Sequence, residues 1–390
     1  MADNAAREWL ATFRSTRSRD VTGETTERWR EHRRVPGRDA EELLEGLAAR
    51  LVEMQISVVR CSLSLLPLHP EIYALNLVWT RGKGVERFAR THEYVGRAEL
   101  ANTPLAAIKR GSPAIRVRLG ADSSPEHRSN LATIAGLGAT DFFIVPLILG
   151  DGRRSFFWCA VDQPAGFTAS QLEAIEQLAP LLAPRVDAAS WEESTELLLD
   201  TYLGVNAARR VLTGAFKRGT GETLKAVIWF CDLRGFTSLV DSRPVNDVIP
   251  LLNRYFETMA APVEDAGGEI LKFIGDAMLA VFHVDERGAA PRCEQALGAA
   301  TAALDALAKL SRDEPAPLKA GIALHVGEVM YGNIGARTRL DFTVIGPAVN
   351  EASRVESLCK ELGAPLLVTG AFQRAAGQLP LLSLGRHALR

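Results

Sequence analysis

The chain has 390 residues, 47% of them hydrophobic and 24% charged, with a formal net charge of −2. That length favours two or three domains with real cores, and the composition excludes a disordered or fibrous chain. So balanced a charge gives no global pull toward nucleic acid or an anionic membrane, and any anion site has to be local.

The five cysteines (Cys61, Cys159, Cys231, Cys293, Cys359) are odd in number and lack metal-ligand spacing, which points to a reducing compartment. The best candidate for a membrane span is VVRCSLSLLPLHPEIYALNLVW. There Arg60, His69 and Glu71 break the apolar run before it reaches the roughly 18 residues a bilayer needs. The N-terminus has neither a signal-peptide core nor the composition of a transit peptide. The expected location is cytoplasmic, with neither nucleic acid nor membrane as partner.

Residues 1–40 are polar and arginine-rich, a helical lead-in with short helices at REWLATF and TERWREH. A helix follows over DAEELLEGLAARLVEMQI, where Leu43, Leu44, Leu47 and Leu51 recur at helical spacing. Strands are expected at RCSLSLLPL, IYALNLVW, AIRVRL, DFFIVPLIL and RSFFWCAV. A helix near FTASQLEAIEQLAPLLA, capped by Thr168 or Ser170, then completes an α+β domain over residues 41–186. Its closing half, two strands joined by a Gly-Asp-Gly turn, a loop and a capped helix, resembles a GAF domain. The resemblance implies a regulatory domain that either senses an unidentified small-molecule ligand or serves, ligand-free, in dimerisation. His69, His92 and His127 read as surface or packing residues rather than haem ligands.

Residues 187–220 read as a helical connector. Trp191, Leu198, Tyr202, Val205, Leu212 and Phe216 form the stripe of a helix packing against a parallel partner, a dimeric coiled coil that Gly204 and Gly214 reduce to two short helices. An amphipathic helix packed on its own domain is the competing reading.

Three segments within residues 221–390 carry chemistry. In LKAVIWFCDLRGFTSLV, a buried strand (Ala226 to Cys231) ends at Asp232. A glycine turn and a helix capped by Thr237 or Ser238 follow, an arrangement able to hold a metal and a phosphate together. DAGGEILKFIGDAMLAVF reads as a hairpin turning at Gly275 and Asp276, with Lys272 inside its apolar run. Two carboxylates at strand ends, Asp232 and Asp276, suit oxygen-only ligation of magnesium. In RLDFTVIGPAVNEASRVESL a strand precedes a helix beginning near Pro347, on which Asn350 and Arg354 share one face.

Together these segments resemble the class III nucleotidyl cyclase catalytic domain over about residues 224–390, in its threonine-bearing variant. The resemblance implies a ferredoxin-like α/β fold, with Asp232 and Asp276 as metal ligands, the Leu233 carbonyl as a further ligand, and two Mg²⁺ or Mn²⁺ per active site. It makes Lys272 and Thr343 the pair that reads adenine, Asn350 the residue that orients the ribose, and Arg354 the one facing charge at the α-phosphate. Backbone N–H groups from Arg234, Gly235, Phe236 and Thr237 would cradle the triphosphate, with added charge from Arg337 or Arg339 and from Arg390. A lysine can donate to adenine N1 and a threonine hydroxyl can accept from the N6 amino group, which favours ATP.

The implied reaction is conversion of ATP to 3′,5′-cyclic AMP and pyrophosphate by two-metal-assisted attack of the ribose 3′-hydroxyl on the α-phosphate. The implied assembly is a homodimer with active sites at the subunit interface, set by the N-terminal domain. The alternatives are a guanylyl cyclase, for which the family carries glutamate and cysteine at the two base-reading positions, and a non-catalytic nucleotide-binding regulatory protein. The family usually continues past the position of Arg390, which leaves both truncation and a short natural terminus open.

Overall fold

The structure, a computed structural model, describes residues 38–97, 100–120, 131–214, 217, 219–314 and 317–389. The helices expected in residues 1–37, together with His127, Phe216 and Arg390, lie outside them. The chain divides into two compact units, Met1–Leu198 and Leu199–Arg390.

The first unit is built on a six-stranded antiparallel sheet in the order β3-β2-β1-β6-β5-β4. Its strands are β1 (Val58–Leu65), β2 (Ile72–Thr80), β3 (Gly84–Thr91), β4 (Ile115–Arg118), β5 (Asp141–Ile148) and β6 (Arg154–Val161). Helix α1 (Arg38–Glu53) lays Leu43, Leu44, Leu47 and Leu51 on one face of the sheet, beside Ile175, Leu182, Val186 and Ala189 of the long helix α5 (Ala169–Leu203). The short helices α2 (His92–Val95), α3 (Pro104–Lys109) and α4 (Ala132–Ala135) complete the unit. Ile108 of α3 and Ile134 of α4 pack on the other face against Val59, Phe142, Ile144 and Trp158. Because both faces are covered, β5 and β6 read as near-continuous apolar runs and β1 is buried with Ser62 and Ser64 inside it, whereas the polar edge strand β3 leaves little trace in hydropathy. Of the two candidate caps for α5, Thr168 does the work: its hydroxyl accepts from the Gln171 N–H at 3.3 Å while its own N–H donates to the Gln171 side chain at 3.0 Å.

Helix α5 continues through residue 187, where the connector was expected to begin, despite Pro180 and Pro184. Leu182, Ala183 and Val186, all packed on the sheet, offset the hydrogen bonds those prolines remove. It stops at Gly204, whose φ of +82° breaks it from α6 (Val205–Leu212), so the expected pair of helices exists but its first member is the closing helix of the sheet domain.

The second unit is a sheet in the order β11-β10-β7-β9-β8, with β12 parallel to β10. The strands are β7 (Gly221–Leu233), β8 (Glu269–Ile274), β9 (Ala277–His283), β10 (Ala320–Gly335), β11 (Leu340–Ile345) and β12 (Leu366–Val368). The helices are α7 (Phe236–Ser242), α8 (Val245–Asp265), α9 (Ala289–Leu310), α10 (Pro347–Glu361) and α11 (Gly370–Ala376). Alternate residues of β7 divide between two cores. Val227, Trp229 and Cys231 meet α8, α9 and α11, whereas Ala226 and Ile228 meet Ala207 of α6 and Ala348 and Ala352 of α10. The outermost strands β8 and β11 nevertheless approach each other, because the sheet curls. No helix among the described residues is long and apolar enough to cross a membrane.

Candidate active site

Asp232 is the penultimate residue of β7, on the α10 side of the sheet, and its cross-strand neighbours are Ala277 of β9 and Gly321 of β10. The β8–β9 hairpin closes in two residues, Gly275 and Asp276, between the paired Ile274 and Ala277. Gly275 has φ +65° and Asp276 a negative φ, the pattern of a type II′ turn, which a residue with a Cβ at the first position would strain. Since Asp232 pairs with Ala277, the turn sets the Asp276 side chain against it. The two carboxyls are hydrogen-bonded, and burial, the Asp276 charge and the Glu356 charge push Asp232 up to about 7, against the pull of Arg234. Two carboxylates so placed demand a positive charge. Among the described residues no three His, Cys, Asp or Glu side chains cluster as metal ligands. An oxygen-only pair that leaves other positions to carbonyls, water and phosphate fits Mg²⁺ or Mn²⁺.

Lys272 owes its direction to a β-bulge. Ile270 lies opposite Ala280 and Lys272 opposite Leu279, so Leu271 is the extra residue. In regular register Lys272 would face Met278, which is fully buried among residues of α8 and α9. The bulge turns it away from that core, and its ammonium pairs with the carboxylate of Asp341 on β11. Thr343, two residues on, shares a face of the strand with Asp341; it is buried, and its hydroxyl has no hydrogen-bond partner among the described residues. Asn350 and Arg354 both stand exposed on α10, four apart as the helix period requires.

The turn after β7 departs from expectation in two ways. Helix α7 begins at Phe236, with Gly235 as N-cap at φ +75° and no side-chain cap, so Thr237 and Ser238 lie within the helix instead of capping it. Of the four N–H groups expected to cradle phosphate, that of Arg234 already donates to the Lys319 carbonyl at 2.7 Å. The Arg234 guanidinium turns inward to the buried Glu356 of α10, at 2.8 Å. A side chain at Gly321 would collide with both members of this pair, its Cβ coming within 1.8 Å of Arg234 Nη2 and 2.5 Å of Glu356 Oε1. Gly235, Phe236 and Thr237 remain at the turn, Leu233 is the buried last residue of β7, and Arg337 and Arg339 are exposed between β10 and β11.

Sequence reasoning missed Glu356 and Asp341. Strand alternation with Thr343 could have flagged Asp341, but Glu356 gave no signal, because its arginine partner is 122 residues away.

Residues 221–366 match the family described as the adenylate and guanylate cyclase catalytic domain. Over 158 residues the chain is 39% identical to the uncharacterized protein Rv1319c of Mycobacterium tuberculosis, covering 40% of this chain and 29% of that protein. The chain therefore spans about three-tenths of the length of the curated relatives it matches. Solved structures similar to it include a bacterial light-regulated adenylyl cyclase, with 31% identity, coverage of 43% of this chain and 86% of that one, and a TM-score of 0.39. The guanylyl cyclase Cya2 is also similar, with 30% identity, coverage of 40% and 81%, and a TM-score of 0.37. The second unit of this chain thus carries, over residues 221–366, a class III adenylyl/guanylyl cyclase catalytic domain.

Proposed function

We propose that the chain is an adenylyl cyclase that converts ATP to 3′,5′-cyclic AMP and pyrophosphate. The juxtaposition of Asp232 and Asp276 within a cyclase catalytic domain carries the reading: the fold has accepted the cost of two adjacent carboxylates where a cation would relieve it. Asp232, Asp276 and the Leu233 carbonyl would hold two Mg²⁺ or Mn²⁺, which when bound supply acidification of the ribose 3′-hydroxyl and neutralisation of the leaving pyrophosphate. Lys272 donates to adenine N1, and the otherwise unpartnered Thr343 hydroxyl accepts from N6. Asn350 orients the ribose and Arg354 meets the charge that grows on the α-phosphate. N–H groups at Gly235, Phe236 and Thr237, with Arg337, Arg339 and Arg390, receive the remaining phosphate charge.

The assembly that suits this division of labour is a homodimer with active sites at the subunit interface. The first unit then acts as a GAF-like regulatory domain, answering an unidentified small molecule or fixing the dimer. All five cysteines are free and buried, in keeping with a cytoplasmic protein.

The test is nucleotide turnover by the purified chain with Mg²⁺ or Mn²⁺, comparing ATP with GTP and wild type with Asp232→Ala. Cyclic AMP formed by wild type and lost in the variant is the expected result. Faster turnover of GTP at equal concentration makes the chain a guanylyl cyclase. Equal background from both proteins, with nucleotide still bound, makes it a regulatory nucleotide-binding protein.

A further inference from the structure

We infer that Glu356 is a positioning residue for the metal site: its buried carboxylate holds the Arg234 guanidinium off Asp232 and Asp276 and so keeps that acidic pair open to Mg²⁺ or Mn²⁺. The inference rests on the metal-binding reading above and concerns the same site.

Three observations converge on it. Asp232 lies on the α10 side of the sheet, and Arg234, two residues further on, reaches the same side. There its guanidinium stands 2.8 Å from Glu356 Oε1 and donates to the Glu356 carbonyl at 3.3 Å. The Arg234 N–H is already bonded to the Lys319 carbonyl, so the backbone is fixed and the direction of the side chain is what Glu356 decides. Gly321, the cross-strand neighbour of Asp232 on β10, leaves the room this requires, since a Cβ there would strike both Arg234 and Glu356.

Two adjacent carboxylates are a natural partner for a guanidinium, which can bond them through several N–H groups at once. An arginine two residues from Asp232 is therefore a rival to the metal for those oxygens. Both members of the Arg234–Glu356 pair already act on Asp232 through space, the carboxylate raising its pKa and the guanidinium lowering it. Held by Glu356, Arg234 eases the repulsion without occupying the oxygens. Released, it would occupy them. Packing alone does not call for this pair, because a buried ion pair returns little more than its desolvation costs, and apolar side chains of similar volume would fill the space as well.

The test measures Mn²⁺ binding to the full chain, read from the loss of the free-ion electron paramagnetic resonance signal. It compares wild type, Glu356→Gln, Arg234→Gln and the Glu356→Gln/Arg234→Gln double variant, with Asp232→Ala to identify the site and melting temperatures to establish that each protein is folded. Glu356→Gln is expected to raise the Kd for Mn²⁺ about tenfold. Removing the guanidinium as well should bring the Kd back to within about twofold of wild type, a recovery that damage to the fold would not produce. A Glu356→Gln Kd equal to that of wild type overturns the inference, as does a double variant that binds as weakly as Glu356→Gln. Should Glu356→Gln fail to fold, Arg234→Gln decides: binding at least as tight as in wild type supports the inference, and weaker binding overturns it. Equal binding by wild type and Asp232→Ala removes the metal site and the inference with it. Cyclic nucleotide formation is read separately: a wild type that binds Mn²⁺ through Asp232 but turns over neither ATP nor GTP ends the cyclase reading, and the binding constants alone then decide the role of Glu356.

Discussion

Asp276 closes a turn where asparagine would serve the backbone as well, yet its carboxylate lies against that of Asp232 in a half-buried setting. Like charges so placed destabilise the metal-free fold, and Glu356 adds to the load while Arg234 offsets part of it. Replacing Asp276 with asparagine keeps the shape and removes one charge. The expected outcome is a metal-free melting temperature raised by about 2–5 °C, measured in chelator, together with cyclase turnover lowered on the order of a hundredfold or more. A variant that melts as wild type does, or that keeps its turnover, contradicts this account of the pair. Stability surrendered at a residue and recovered as chemistry is the pattern that separates Asp276 from an ordinary turn aspartate.

The hairpin that carries Asp276 also explains how far a sequence can be read at the level of elements. Its strands and two-residue turn were legible because apolar runs flank Gly-Asp. The bulge was not, because one inserted residue shows only when pairing with β9 is known, and it is this insertion that aims Lys272. In the same way the helix after Asp232 was legible, but its start at a left-handed Gly235 was not, since Thr237 and Ser238 carry the stronger capping signal. The first strand position of the hairpin, Glu269, is buried, accepts from the Tyr331 hydroxyl at 2.7 Å and meets His283 Nε2 at 2.6 Å. Burial alone would raise its carboxyl, but the bonds from His283 and Tyr331, with one from Asn206, outweigh burial and hold it below the ordinary value of 4.5. A carboxylate lowered on folding stabilises the fold above its unfolded pKa, and that contribution disappears as pH falls through the folded one. Wild type should therefore exceed Glu269→Gln by about 1–3 kcal/mol at pH 7, and the gap should close only below roughly pH 4.5, as read from denaturant melts across pH. A gap that is constant from pH 7 to 3 would show that the network does not depend on the charge of Glu269.

At the scale of the whole chain, α5 begins as the closing helix of the sheet domain and ends before Gly204, where α6 starts. Near this break large side chains reach solvent: Tyr202 of α5 is 75% exposed, and on α6 Leu212 is 47% and Val205 36% exposed. On α6 the spacing of seven between Val205 and Leu212 suits burial against an equal partner, and a second copy of the chain presents the same residues. In the proposed homodimer, with active sites at the subunit interface, turnover needs the copies held together, which would couple these exposed residues to the site through mass action. Tyr202→Glu with Leu212→Glu places two like charges in each copy without touching β7, β8, β10 or β11. The expected result is dissociation of the dimer at lower dilution by sedimentation, with specific activity that falls on dilution more steeply than in wild type and recovers at high protein concentration. If the doubly charged chain sediments as wild type does while its activity falls, these residues act within one copy, and the competing reading, a helix packed on its own domain, stands instead.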